Sequence, residues 1–271
     1  MSPHSQKLYK ALNLGPLWRL RAHLAAEQDV TQPLVESAPT SSPEPTRPKK
    51  SLSPIAPKAP EAVLPPSDLP ADPGRLTRIA QLNAEELVLE ISQCQACPLH
   101  KTRKHAMPGT APTHKLQYLV VDEAPHAQEE AGESVYTPPG GQLLKAMLSS
   151  IGIDAEKEVF LTHAIKCRPP HNRLPQPDEL MQCAPFLARQ IALLQPKFIL
   201  ALGRQASQSL LNQAPEALSA LRGRCHKAQD IPLIITYPPD YLLRTPADKA
   251  KAWEDLCLLR RTANLSNKTE N

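Results

Sequence analysis

The strongest constraint on what this chain can fold into is the placement of its prolines. Twelve of the 31 fall between Pro33 and Pro73, in a stretch of Ser, Thr, Ala, Glu and Lys. Proline fixes φ and removes a backbone donor, so such a stretch forms neither a helix nor a ladder and favours extended polyproline-like segments. Roughly 40 residues of this kind span about 35 Å as a coil and over 100 Å when stretched. The sequence therefore divides into an N-terminal segment (1–30), a Pro-rich linker (31–74), a folded domain (75–262) and a polar tail (263–271) that is expected to fray. With 41% hydrophobic residues, the part after the linker has enough apolar side chain for a core.

The N-terminal segment places Leu8, Leu12, Leu14, Leu17, Trp18 and Leu20 within a few residues of Lys10, Arg19 and Arg21. It is too short to bury its own apolar side chains, which makes it a candidate docking peptide. After the linker, Leu76, Ile79, Leu82, Leu87, Leu89 and Ile91 predict one amphipathic helix over 75–94. Apolar runs at 116–121, 159–165, 198–202 and 233–236 read as buried strands. Helical stretches near 143–151, 178–194 and 205–211 separate them, and this alternation predicts a parallel α/β sheet. Residues 246–260 predict a closing helix, with Pro246 in its first turn and Ala250, Trp253, Leu256 and Leu259 on one face.

The formal net charge is +4, which permits a nucleic-acid partner without requiring one. No apolar run approaches the roughly 18 residues of a membrane span, and the first residues lack the order of a secretion signal, so a cytoplasmic protein without membrane contact is expected. In that compartment six cysteines point to thiols, core residues or metal ligands more than to disulfides. Cys94 and Cys97 form a C-x-x-C pair, and Cys167 and Cys183 follow some seventy residues later. On spacing alone the pair suits metal binding, redox work or plain packing. Four thiolates together suit either zinc or an iron–sulfur cluster. Cys225 and Cys257 stand apart, the latter reading as a small buried hydrophobe.

Several motifs follow in a fixed order: Cys94-x-x-Cys97, Asp122-Glu123-Ala124-Pro125, Gly141-Gln142-Leu143-Leu144, Lys166-Cys167-Arg168-Pro169-Pro170-His171-Asn172-Arg173, Cys183, Leu200-Ala201-Leu202-Gly203 and Tyr241-Leu242-Leu243-Arg244. This series resembles the iron–sulfur family 4 uracil-DNA glycosylases over nearly all of residues 75–260. The resemblance implies a three-layer α/β/α sandwich with a four-stranded parallel sheet. It also implies a [4Fe-4S] cluster held by Cys94, Cys97, Cys167 and Cys183.

The same resemblance marks departures at the catalytic positions. Where the family carries G-E-A-P-G, this chain has Asp122-Glu123-Ala124-Pro125-His126, with side chains at both glycine positions, which is expected to obstruct the pocket. Tyr136 stands where an aromatic stacking surface belongs. His163 replaces an Asn that reads the uracil edge, and Pro238 replaces the catalytic His of T-Y-H-P. Proline offers no N–H and no titratable group, and one lost donor of this kind costs roughly 10²- to 10⁴-fold in rate. These changes lead to the expectation of a pseudoenzyme.

At the other end, Leu14-Gly15, Trp18 and Arg19-Leu20-Arg21 resemble the N-terminal segment of the psi-subunit family of bacterial DNA polymerase III. That resemblance implies a non-catalytic adaptor. Leu14, Leu17, Trp18, Arg19, Leu20 and Arg21 would dock on the tau/gamma subunits of the clamp loader, and the globular domain would hold chi and, through it, single-strand-binding protein. Against this stand an active glycosylase of base-excision repair and a non-catalytic DNA-binding protein. Arg168, Arg173, Arg204, Arg222, Arg224 and Arg244 are candidates for phosphate contact, although scattered arginines more often serve a solvated surface or salt bridges.

Overall fold

A computed structural model describes residues 74–111, 115–132, 135, 137–211 and 216–269, all within one compact unit that spans Pro60–Asn271. The region 75–94 is two helices rather than the single one expected: α1 (Arg75–Gln81) and α2 (Ala84–Gln93). The break has a local cause. Asn83 caps α2 by accepting from the Glu86 N–H at 2.9 Å, while the Glu86 carboxylate accepts from the Asn83 N–H at 2.8 Å. This reciprocal box fixes a helix start where the apolar pattern alone runs on.

Four strands are parallel, as the apolar runs require: β1 (Tyr118–Asp122), β2 (Val159–His163), β3 (Phe198–Leu202) and β5 (Ile231–Thr236). The sheet has five strands, not four, in the order β2-β1-β3-β5-β4. The additional edge strand, β4 (Cys225–Ala228), runs antiparallel to β5. Its sequence Cys-His-Lys-Ala carries no apolar run. It is set instead by a two-residue turn at Gln229 and Asp230, both at positive φ (48° and 67°), the geometry that matches the twist of a hairpin.

Helices cover both faces of the sheet. Leu119, Val121, Ile199, Ala201, Leu233 and Ile235 point to one face and pack with Ile79, Leu87, Ile91, Phe186 and Leu187. Those partners come from α1, α2 and α5 (Pro177–Leu194), taking α3 as Ala127–Gly132 and α4 as Gly140–Ser150. Val120, Leu200, Leu202 and Ile234 alternate to the other face. There they meet Leu144 and Leu148 of α4 and, beyond α6 (Arg204–Leu211) and α7 (Leu218–Leu221), Leu242 of α8 (Pro239–Arg244) and Leu256 and Leu259 of α9 (Lys249–Thr269). The period of two along each central strand thus feeds two separate cores.

The closing helix differs from expectation in two ways. It continues to Thr269, through residues expected to fray. Its buried face is Ala252, Leu256, Leu259 and Ala263, while Trp253 is 47% exposed. The face is fixed by Asp255, which is fully buried and accepts from Arg222 at 3.0 Å and from the Gly223 N–H at 3.1 Å. Among the described residues no helix is long and apolar enough to cross a membrane.

Candidate functional site

The carboxyl ends of the four parallel strands open into one groove. Asp122 ends β1 beside His163, which ends β2 in register with it. β3 leads into Gly203 and Arg204, and β5 into Tyr237 and Pro238. Ligands of open α/β sheets bind at this edge because loops diverge there from a rigid platform. The groove has a volume of about 810 Å³, and Glu123, His126, Arg204, Tyr237, Asp240 and Arg244 are among its lining residues. A small recess of about 30 Å³ adjoins it, sharing Asp122, His126, Gln128 and Asp240 with the groove. The side chains at the two former glycine positions therefore leave the groove open and crowd only its inner end.

Glu123 is locked in place. Its carboxylate accepts from the Gln205 N–H at 3.0 Å, and a Cβ on Gly203, whose φ is +94°, would run into that carboxylate. Glycine is thus required at 203 for both conformation and space. Burial pushes the Glu123 carboxyl up, against the Gln205 and Arg204 N–H groups that lower it. Asp122 is pushed up to about 8 by burial, partly offset by the Glu123 N–H that it accepts at 2.8 Å; Glu123 and Glu129 raise it further.

His126 and Asp240 form the pair that links the two sides of the groove, with Nε2 and Oδ2 3.0 Å apart. The hydrogen bond to Asp240 is the main force raising the imidazole pKa, to about 9 against the opposing effect of burial, and Asp122 and Glu129 add to it. The Asp240 carboxyl is lowered in turn, chiefly by the same bond. A side chain at Gly140 would collide with the Asp240 carboxylate, so the glycine that starts α4 makes room for this pair. The Glu129 carboxylate caps α3 by accepting from the His126 N–H at 2.8 Å. Its other neighbour is His163, whose Nε2 lies 3.3 Å away. His163 is fully buried, and neither of its ring nitrogens has a hydrogen bond.

Pro238 caps α8 and lines the groove without a donor. Tyr237 and Tyr241 stack with ring centroids 5.0 Å apart, and the Arg222 guanidinium lies 5.1 Å from the Tyr237 ring centroid. Tyr136 and the segment containing Leu14, Leu17, Trp18, Arg19, Leu20 and Arg21 lie outside the described residues. Asp240, Glu129 and Tyr237 were not singled out by the sequence reading. Asp240 occupies the variable position of the T-Y-H-P-x-Y pattern, so only its contact with His126 distinguishes it.

The motif around Lys166 is mostly structural. Lys166 is 1% exposed, and its Nζ donates to Thr162 Oγ1 at 2.7 Å, the His163 carbonyl at 2.6 Å and Gln190 Oε1 at 2.7 Å. Burial lowers its pKa to about 7. Arg173 makes a two-pronged bridge to Glu179 at 2.9 and 2.5 Å, holding the loop after β2 to the start of α5. Of the arginines considered for phosphate contact, Arg222 is likewise committed, to Asp255 and to the Lys251 carbonyl. Arg204 and Arg244 remain at the groove.

Cys97, Cys167 and Cys183 are buried in the core of the opposite face, and Cys94 packs against it. Burial pushes the Cys97 thiol up to about 11 and the Cys183 thiol up to about 12, and Cys167 raises both, so these sulfurs sense one another. Arg103 donates to Cys167 Sγ at 2.9 Å, which lowers that thiol against the burial that raises it, and Arg75 approaches Cys94 Sγ at 3.8 Å. Among the described residues no three His, Cys, Asp or Glu side chains close around a single ion. Four thiols that sense one another, with cationic donors beside two of them, fit an all-thiolate iron–sulfur cluster. The chemistry of this donor set is that of a [4Fe-4S] group, which when bound supplies four thiolate cross-links between the segment after α2, the loop after β2 and α5.

With this geometry in place, comparison with known proteins is decisive. The family model described as "Uracil DNA glycosylase superfamily" matches residues 108–257, more than half of the chain. The chain belongs to this superfamily. Relatives named Type-4 uracil-DNA glycosylase include one from Pyrobaculum aerophilum, 38% identical over 62% of this chain and 88% of the relative. Those from Archaeoglobus fulgidus (34%; 60% and 84%) and Thermotoga maritima (32%; 61% and 86%) match a similar span.

These relatives correct the expectations of a pseudoenzyme and of a clamp-loader adaptor of psi type. Five relatives carrying that glycosylase name are 32–38% identical to the chain, and the psi resemblance has no counterpart among them. The folded superfamily domain keeps an open groove lined by carboxylates, and this chain adds the His126 imidazole to it, even where Pro238 removes one donor.

Proposed function

We propose that the chain is a uracil-DNA glycosylase, hydrolysing the bond between the deoxyribose C1′ and the base. The observation that carries this reading is the groove of about 810 Å³ at the carboxyl edge of the sheet, in a domain whose relatives bear that name. Arg204 and Arg244 provide cations at the groove for the DNA backbone. The stacked Tyr237 and Tyr241 give a flipped nucleotide an aromatic wall. Asp122 and Glu123, carboxyls raised by burial, offer the groove acceptors that orient a water and, once ionised, negative charge to balance an oxocarbenium-like sugar. The four-cysteine centre lies in the core on one face of the sheet and keeps the loop after β2 in position, outside the bond-breaking step.

The test is single-turnover excision from uracil-containing single- and double-stranded DNA, read as alkali-sensitive breaks. The expected result is cleavage at uracil positions with free uracil as product. No product from undamaged or uracil-containing DNA at large enzyme excess would sink the reading.

A further inference from the structure

The groove has to stabilise the base as it departs with the bonding electron pair, and the segment that closes it offers Pro238, which has no proton to give. Two residues later the chain places Asp240, and Asp240 brings His126 across from the other wall, 3.0 Å away. The ring lines both the groove and its inner recess and keeps a side-chain exposure of 38%. The acid that holds it fits only because Gly140 has no side chain. An imidazolium has two N–H donors. Asp240 takes the one on Nε2, which leaves Nδ1–H for a ligand.

We propose that His126 is the catalytic donor of this groove, with Asp240 as its positioning residue, and that Nδ1–H bonds to the carbonyl oxygen on which the leaving base accumulates charge. This rests on the uracil-excising reading above. In the step, the C1′–N bond breaks with its electron pair leaving on the base. Water adds its hydroxyl to C1′, and its proton ends on the base. His126 lends a hydrogen bond to the anion and is unchanged at the end. A protonated ring fits this role, because charge–charge hydrogen bonding to a developing anion outweighs that of a neutral donor.

The charge of the ring is maintained by its surroundings. Asp240 faces it from α8, Asp122 from the end of β1, Glu123 from the loop after it, and Glu129 from α3; Arg244, one turn beyond Asp240, is the cation on the far side of the pair. The hydrogen bond to Asp240 keeps His126 protonated up to about pH 9. A group with a raised pKa holds its charge below that value and loses it above, so excision should decline through the alkaline range. Asp240→Asn removes the principal cause and should move that decline to lower pH.

The experiment is single-turnover excision by the full chain and by His126→Ala, His126→Gln and Asp240→Asn, from pH 6 to 10. His126→Ala is expected to slow the maximal rate about 100-fold or more, the loss found for one oxyanion donor, with half-saturating DNA concentration unchanged. His126→Gln, which retains an N–H, should lose less. Asp240→Asn should show the shifted alkaline limb. Since the imidazole is partly exposed and Asn is close in shape to Asp, matched thermal melts check that all variants fold. A wild-type rate in His126→Ala, or an unmoved limb in Asp240→Asn, overturns the assignment and leaves the excision reading standing. Absence of excision by the unmodified chain removes both.

Discussion

Lys166 and His163 stand three residues apart at the end of β2, and both are buried, yet the structure treats them in opposite ways. The lysine ammonium is surrounded by three acceptors at 2.6–2.7 Å. Neither nitrogen of the imidazole has a hydrogen bond. The first belongs to the thiol-rich side of the molecule, where Arg103 meets Cys167 and Arg173 meets Glu179. The second ends β2 in register with Asp122 and lies 3.3 Å from the carboxylate of Glu129, which lines the recess beside the groove. An unsatisfied buried polar group costs about as much as a broken hydrogen bond. The lysine is therefore a fixed part of the scaffold, while the imidazole has only the Glu129 carboxylate, 3.3 Å from Nε2, beside it.

The comparison breaks first at the thiols. Cys183→Ala removes one of the four proposed ligands from the middle of α5, and the purified protein is expected to lose its brown iron–sulfur absorbance. The accompanying destabilisation should be on the order of 4 kcal/mol, as for other losses of a structural metal. Absorbance spectra, iron content and a denaturant melt test this, and a brown variant of unchanged stability would remove Cys183 from the ligand set.

Lys166→Met sharpens the scaffold side of the comparison. It fills the same space but abandons the acceptors on Thr162, His163 and Gln190. A loss of roughly 3 kcal/mol is expected, since more than one buried polar group is left unpaired. Urea melts should show a lower midpoint with an unchanged slope. A neutral result would mean that these acceptors find water or each other.

The third effect, in the groove, depends on pH. Asp122 has a folded-state pKa raised to about 8, so it opposes folding wherever it must ionise. That penalty begins above the ordinary carboxyl value near 3.9, grows as pH rises, and is complete above about 8. Asp122→Asn keeps an acceptor for the Glu123 N–H and removes the ionisation. The variant should be more stable than the parent at pH 8–9, with no gain near pH 4. Equal melting curves at both pH values would show that the carboxyl pays no such penalty.

These contrasts bear unequally on what was legible in the chain. The buried strands carry their own signal, because a parallel strand covered on both faces needs a continuous apolar run. The cysteines are legible from spacing and resemblance together. β4 is not, because its four residues are placed by the left-handed backbone of Gln229 and Asp230 and by the partner edge of β5. The inward face of α9 keeps Leu256 and Leu259 but takes Ala252 instead of Trp253, since Asp255 and its arginine decide which side turns inward.

By itself, then, the order of residues determined the parallel sheet, which depends on local periodicity in the chain. Tertiary structure alone decided which polar groups are satisfied and which await a ligand. His126 and Asp240 are far apart in sequence, and Asp240 carries no signal in its own segment. Their charge state comes from a 3.0 Å contact across the groove and from the missing side chain at Gly140. Electrostatics at a site depends on distance and burial, and neither quantity exists until the chain has folded.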